Sequence, residues 1–186
     1  MDTTSASSLL MQSLNDVCNE FNGHTLMPLL EADVTAFLYH RLILNGCSQS
    51  LLYNETRVCG VDETRKYDVV IGNVITKSGC VKPMLIVQVK YFPRWGKTSP
   101  QLRTSFQETM LKDVPSLETA ANVLTRGRFE VIADFFFTKQ TAGYLSGKWN
   151  GEKRIGLLAK ICKGSGINLI WVRPNNKGEL GIEQVV

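Results

Sequence analysis

The run Met-Leu-Ile-Val-Gln-Val-Lys-Tyr at residues 84–91 constrains the fold of this chain more than any other segment. Its apolar and β-branched residues predict a buried β-strand, and Gln88 and Lys90 interrupt the apolar pattern. Residues two apart on a strand point to the same face, so this amide and this ammonium group are predicted to lie side by side. Burying such groups is unfavourable unless they meet partners. The strand therefore predicts a central sheet with a polar site on one face.

Helices and strands alternate around this segment. Apolar residues at helical spacing predict helices over 5–21, from Pro28 to Asn45-Gly46, from Gln101 to Gly127 with an interruption near Pro115, and over 152–162. Further strands are predicted over 51–59, 67–71, 129–137 and 167–172, followed by a polar tail. This order predicts an α/β (α+β) domain of three layers, with a central mixed sheet flanked by helices. We expect one domain over 1–186, with its core at about 28–172 and an N-terminal helix at 5–21.

Composition and charge narrow the functional classes. The net charge of +4 permits a polyanionic partner without requiring one. The five cysteines are odd in number and lack C-x-x-C spacing, which favours reduced, buried thiols over a zinc or redox site. The first eight residues lack the basic region of a signal peptide, and no apolar run is long enough for a membrane span. We therefore expect a cytoplasmic protein that does not associate with membranes.

Two acidic residues join Gln88 and Lys90 as candidates for a site. Glu31 lies on the same helical stripe as Val34 and Leu38, and Asp68 interrupts a β-branched strand. Each residue also has a structural interpretation. Glu31 could be an acid in the first turn of a helix, Asp68 could accept hydrogen bonds from the preceding turn, and Lys90 could extend to solvent from a strand end.

The order of these residues resembles the PD-(D/E)XK nuclease superfamily, which includes restriction enzymes, junction resolvases and repair exonucleases. That family has an acid on the first core helix, an acid on the second strand of a hairpin, and an acid-x-Lys on the next strand. The corresponding positions here are Glu31 in Leu-Leu-Glu-Ala-Asp-Val, Asp68 in Arg-Lys-Tyr-Asp-Val-Val-Ile-Gly, and Gln88-Val89-Lys90. Tyr67 replaces the usual proline, and Gln88 replaces the usual acid, as it does in some family members.

The resemblance implies a restriction-endonuclease-like fold and a Mg²⁺-dependent DNA endonuclease in which Mn²⁺ can substitute. Glu31, Asp68 and the side chain of Gln88 would hold the metal together with the Val89 backbone carbonyl. Lys90 would orient the attacking water and stabilise developing negative charge, so Glu31, Asp68, Gln88 and Lys90 are the expected catalytic residues. Two histidines alone disfavour a histidine-based nuclease, and no nucleotide-cofactor motif is present.

DNA is the expected partner, and basic residues near the site would contact its phosphates: Arg65, Lys66, Arg94, Lys97 and Arg103. A homodimer or a larger nucleic-acid-processing complex is compatible with this activity. The alternative is a catalytically weak or inactive nuclease fold that binds DNA as an accessory subunit. The neutral Gln88 and the lack of a separate DNA-binding domain support that alternative.

Overall fold

The computed structural model describes residues 1–23, 30–61, 64–92, 107–134, 151–175, 177 and 179–186. Within these residues, six strands form one sheet in the spatial order β1-β2-β3-β4-β5-β6. The strands are β1 (Leu52–Thr56), β2 (Tyr67–Ile75), β3 (Cys80–Phe92), β4 (Arg128–Asp134), β5 (Asn168–Pro174) and β6 (Leu180–Gln184). The β3–β4 and β4–β5 pairs are parallel and the other three pairs are antiparallel, so the sheet is mixed.

Four α-helices accompany the sheet in the described part of the chain. They are α1 (Thr3–Asn22), α2 (Glu31–Leu44), α3 (Val114–Thr119) and α4 (Gly151–Gly164). A π-helical turn over Thr109–Asp113 leads into α3, and short 3₁₀ turns occupy Gln49–Leu51 and Ala120–Asn122.

The two faces of the sheet carry separate apolar clusters. One face packs against α1 and α2 through residues such as Leu10, Leu38 and Val87. The other face packs against α3 and α4 through residues such as Leu117, Leu158 and Ile86. Neighbouring positions of β3 alternate between these clusters, as the two-residue repeat of a strand requires. The predicted three-layer α+β class with a central mixed sheet is therefore confirmed.

A bulge bends the hairpin formed by β2 and β3. The register shifts between Ile71 and Gly72, where the two strands approach closely. A Cβ atom at Gly72 would lie 2.3 Å from the carbonyl oxygen of Lys82, so a larger residue would force the strands apart. This hairpin carries Asp68 on one strand and Gln88 on the other.

Several predicted boundaries differ from the structure. Helix α2 begins at Glu31, whereas Pro28 lies among residues 24–29, outside the described part. The predicted helix from Gln101 instead contains the π-helical turn, α3 and a 3₁₀ turn, while residues 101–106 are outside the described part. The predicted strand over 129–137 is described only to Asp134.

The prediction of a polar C-terminal tail was wrong. Residues Leu180–Gln184 form β6, which pairs with β5 from Ile170 opposite Gln184 to Pro174 opposite Leu180. Leu180 is buried, whereas most residues of β6 are partly or fully exposed. An edge strand with such weak apolar alternation gives little sequence signal.

The prediction that all five cysteines are reduced was also wrong. Cys59 and Cys80 form a disulfide, while Cys18, Cys47 and Cys162 are free and buried. A bridge between Val58 and Val81 brings the two bonded cysteines together. Such a pairing between distant residues follows from tertiary contact and has no short-range spacing signature.

No helix in the described part of the chain is both long enough and apolar enough to cross a membrane.

Candidate active site

Asp68 and Gln88 lie where the regular pairing of β2 with β3 gives way to side-chain contacts. That pairing starts at Val69 opposite Val87. Next to it, the amide N–H of Asp68 donates to Oε1 of Gln88 at 3.1 Å, and the amide N–H of Val89 donates to Oδ2 of Asp68 at 2.7 Å. The two side chains thus take the place of strand–strand hydrogen bonds. Gln88 is only 7 % exposed, so this arrangement is largely shielded from water.

Glu31 reaches the same end of β3 from the first residue of α2. The helix starts there because Oδ2 of Asp33 accepts a hydrogen bond from the amide N–H of Leu30, at 2.9 Å. Val34 and Leu38 then anchor α2 against the sheet. Oε2 of Glu31 accepts a hydrogen bond from the amide N–H of Tyr91 at 3.0 Å, so the carboxylate is docked on the strand.

Lys90 lies between two carboxylates. Its Nζ atom is 3.4 Å from both oxygens of Glu31 and 3.6 Å from Oδ2 of Asp113. Desolvation alone would lower the pKa of Lys90, but the carboxylates of Asp113, Glu31 and Glu130 outweigh it and raise the pKa. Lys90 is therefore held as an ammonium group and is unsuited to act as a general base.

Two residues of this cluster, Asp113 and Glu130, are absent from the sequence-based prediction. Asp113 ends the π-helical turn, and Glu130 lies on β4 directly opposite Gln88. Glu130 is completely buried, and neither of its carboxylate oxygens has a hydrogen-bond partner among the described residues. Desolvation and then the charge of Asp113 raise its pKa well above the usual value. An acid flanked by apolar residues on both sides was the available signal for Glu130, whereas nothing in the sequence around Asp113 singles it out.

The charge balance also affects Asp68. Burial raises the pKa of Asp68 to about 6, the Val89 amide opposes the shift, and the charges of Glu31 and Asp113 reinforce it. Desolvation likewise raises the pKa of Asp113. Four carboxylates therefore interact electrostatically with one ammonium group, and two of them contact it, which leaves excess negative charge whenever most of them are ionised.

The residues predicted to bind metal fit a hard cation in their donor chemistry. Across the described residues, no three His, Cys, Asp or Glu side chains are grouped to hold one ion. The predicted set differs from such a group, because it combines two carboxylates with the amide oxygen of Gln88 and the Val89 carbonyl. Mg²⁺ accepts all of these oxygen ligands. Oxygens that already accept one hydrogen bond retain a second lone pair, and the excess negative charge favours a cation.

The structure describes only some of the predicted DNA contacts. Arg65 is partly buried and its Nη1 atom donates to the Thr119 hydroxyl at 3.4 Å, whereas Lys66 is exposed. Both residues immediately precede β2 and are therefore close to Asp68 along the chain. Arg94, Lys97 and Arg103 lie outside the described residues.

Comparisons with known proteins do not identify the function of this site. No protein-family model and no curated protein matches the chain. Among solved structures, the chain is similar to SfsA from Pyrococcus furiosus, which was solved in complex with Ca²⁺. The sequence identity is 14 % and the TM-score is 0.33, and the alignment covers 81 % of this chain and 62 % of that one. The chain thus spans less than two thirds of that protein, and so low a similarity establishes neither family nor function.

Proposed function

We propose that this chain is a Mg²⁺-dependent DNA endonuclease that hydrolyses phosphodiester bonds. The supporting observation is that Glu31, Asp68 and Lys90, from three separate elements, meet at one end of β3. Glu31 comes from the first residue of α2, Asp68 from β2 and Lys90 from β3 itself. Chance would rarely direct two buried or half-buried acids and a lysine to the same few residues of one strand.

Each residue has a distinct role in this proposal. Asp68 and Glu31 would supply the charged ligands, and the Gln88 amide oxygen and Val89 carbonyl would supply neutral ones. A bound Mg²⁺ acidifies water and offsets charge on the scissile phosphate. The ammonium group of Lys90 donates hydrogen bonds, so it orients the attacking water and stabilises the negative charge that develops on the phosphate. Because Lys90 stays protonated, the attacking water must give its proton to another group.

DNA is the substrate class that best suits the surroundings. The net charge of +4 permits a polyanion, and exposed Lys66 lies two residues before Asp68, where it would contact backbone phosphate. Proteins that cut both strands of a duplex are commonly homodimers, so a homodimer or a larger nucleic-acid-processing complex is compatible with this activity.

A second candidate function is a DNA-binding accessory subunit with weak or no catalysis. Two contacts favour it. The Oε1 atom of Gln88 is engaged by the Asp68 amide, and both oxygens of Glu31 lie within reach of Lys90. A protein that never binds metal would be stabilised by such internal pairing. The neutral charge of Gln88 also weakens a metal site that usually contains three acids.

A cleavage panel separates the two functions. Supercoiled plasmid, linear duplex, single-stranded and branched DNA are incubated with the purified protein and Mg²⁺ or Mn²⁺, with a chelator as the control. We expect cleavage that requires the metal and disappears with the chelator. Tight DNA binding without cleavage of any of these substrates would favour the accessory subunit.

The cellular location proposed with this activity is the cytoplasm. The Cys59–Cys80 disulfide counts against it, because disulfides persist mainly in oxidising compartments. Alkylation of free thiols in freshly lysed cells, followed by mass spectrometry, tests the location. Alkylated Cys59 and Cys80 would support a reducing cytoplasm, and a protected pair would contradict it.

A further inference from the structure

We infer that Asp113 is a positioning residue that retains the Lys90 ammonium group when Glu31 binds a cation. The inference rests on the proposed function and adds a residue outside the motif that suggested it. Its basis is the position of Nζ of Lys90, which lies 3.4 Å from the carboxylate of Glu31 and 3.6 Å from that of Asp113.

The two carboxylates beside Lys90 differ in their exposure to solvent. The side chain of Glu31 is 42 % exposed, that of Asp113 is 19 % exposed, and that of Lys90 is 13 % exposed. Glu31 is therefore the partner whose carboxylate an ion entering from solvent can reach while Oε2 keeps its hydrogen bond from the Tyr91 amide, and Asp113 stays beside the buried ammonium. An ion pair between two largely buried groups also resists screening better than an exposed one.

Asp113 is available for this task because, among the described residues, its side chain makes no hydrogen bond. It occupies the N-cap position of α3, but it has helical dihedral angles and its side chain makes no capping hydrogen bond. Its Oδ2 atom is buried and has no hydrogen-bond partner among the described residues, so the ion pair with Lys90 is its main stabilising contact. The preceding π-helical turn sets where this carboxylate emerges, and π-helical turns recur at functional sites.

Asp113 allows Lys90 and a bound cation to share the carboxylates of the site. Glu31 is needed as a ligand, yet its oxygens are next to Lys90. If Glu31 were the sole partner of Lys90, binding a cation would leave the buried ammonium unpaired, which is unfavourable. Asp113 removes this free-energy cost, because Lys90 stays paired with its carboxylate both before and after the cation binds. Without the charge of Asp113, Lys90 would hold Glu31 more strongly, and the cation would bind more weakly.

Mn²⁺ binding to a set of five variants tests this inference. Asp113→Asn removes the charge with little change in shape, Asp113→Glu restores it, and Glu108→Gln removes a similar charge from the exposed pair with Lys112. We expect Asp113→Asn to weaken Mn²⁺ binding about tenfold, Asp113→Glu to recover most of it, and Glu108→Gln to change it by less than about twofold. In a Lys90→Met background, Asp113→Asn should have almost no effect, because no ammonium group remains to be shared.

The outcomes distinguish this inference from the proposed function. If the wild-type protein binds Mn²⁺ and cuts DNA while Asp113→Asn binds Mn²⁺ equally well, the inference is overturned and the proposed function stands. An equal loss with and without Lys90 would show a long-range charge effect and would also overturn it.

Urea unfolding gives a measurement that does not depend on metal or activity. The single variants Lys90→Met and Asp113→Asn and the double variant form a cycle. We expect a coupling of about fivefold or more in the unfolding equilibrium constant, typical of directly contacting groups. If the wild-type protein neither binds Mn²⁺ nor cuts DNA, the proposed function fails, and this coupling decides whether Asp113 holds Lys90. Additive effects would refute that role.

Discussion

Replacing Gln88 by glutamate tests whether this neutral residue is a metal ligand. The two side chains have nearly the same shape, and a glutamate oxygen can still accept the hydrogen bond that Oε1 of Gln88 now accepts from the Asp68 amide. The fold should therefore be preserved. The change adds one negative charge at a site where two carboxylates and an amide oxygen are proposed to bind Mg²⁺.

The expected gain in Mg²⁺ affinity is the attraction of the added charge minus the costs of burial and of repulsion. Unit charges about 4 Å apart interact by about 4 kcal/mol at an effective dielectric of 20, and a divalent ion doubles this. Burial of residue 88 and repulsion from Asp68 cancel much of the gain. We expect Mg²⁺ to bind roughly tenfold more tightly, which corresponds to about 1.4 kcal/mol.

Calorimetric titration with Mg²⁺ measures this change, and cleavage at saturating metal is measured alongside it. The added carboxylate also lies near Lys90 and stabilises its ammonium form, so cleavage can slow even as the metal binds better. Gln88→Met is the matched neutral control, because it keeps the length of the side chain but loses the acceptor for the Asp68 amide. Unchanged Mg²⁺ affinity in a folded Gln88→Glu protein would refute the reasoning and leave Gln88 as a structural amide.

Three further predictions concern ionisation and stability. Because the pKa of Asp68 is raised to about 6, Mn²⁺ should bind about tenfold more tightly at pH 7 than at pH 5, where most Asp68 is protonated; an Asp68→Asn protein should lose this pH dependence. The folded-state pKa of Glu130 is raised, so the folded state retains a proton that the unfolded chain loses, and stability should fall as pH rises above the unfolded value near 4.5. Glu130→Gln should reduce that fall in urea unfolding measured from pH 4 to pH 9, and an unchanged slope would contradict the assignment. Replacing Cys59 and Cys80 by serine should lower the free energy of unfolding by about 3 kcal/mol, as expected for a loop of this length, and no change on thermal or urea unfolding would argue against the disulfide.

The sequence predicted most of the sheet because its strands are locally distinctive. The apolar runs around Val69, Val87 and Val131 correspond to β2, β3 and β4. Their continuous apolar runs and their length can be read from the local sequence and are typical of strands that are buried on both faces. The same pattern marked Gln88 and Lys90 as unusual, because polar side chains are rare in such strands.

The remaining features depend on contacts between distant segments. Asp113 meets Lys90, and Cys59 meets Cys80, only after the chain has folded. Neither pair has a spacing that a single sequence reveals. Glu130 stands between apolar residues in the sequence, but its complete burial follows from the packing of the folded sheet.

The cleavage rate of Lys90→Ala under single-turnover conditions, with saturating Mn²⁺, tests the central claim most directly. Lys90 is proposed to act on the water and the developing charge and not to bind the metal. We therefore expect a rate at least about 100-fold lower than that of the wild-type protein, comparable to the loss of one electrostatic donor, with Mn²⁺ still bound. A folded Lys90→Ala protein that cuts DNA at the wild-type rate would contradict the assignment of this site.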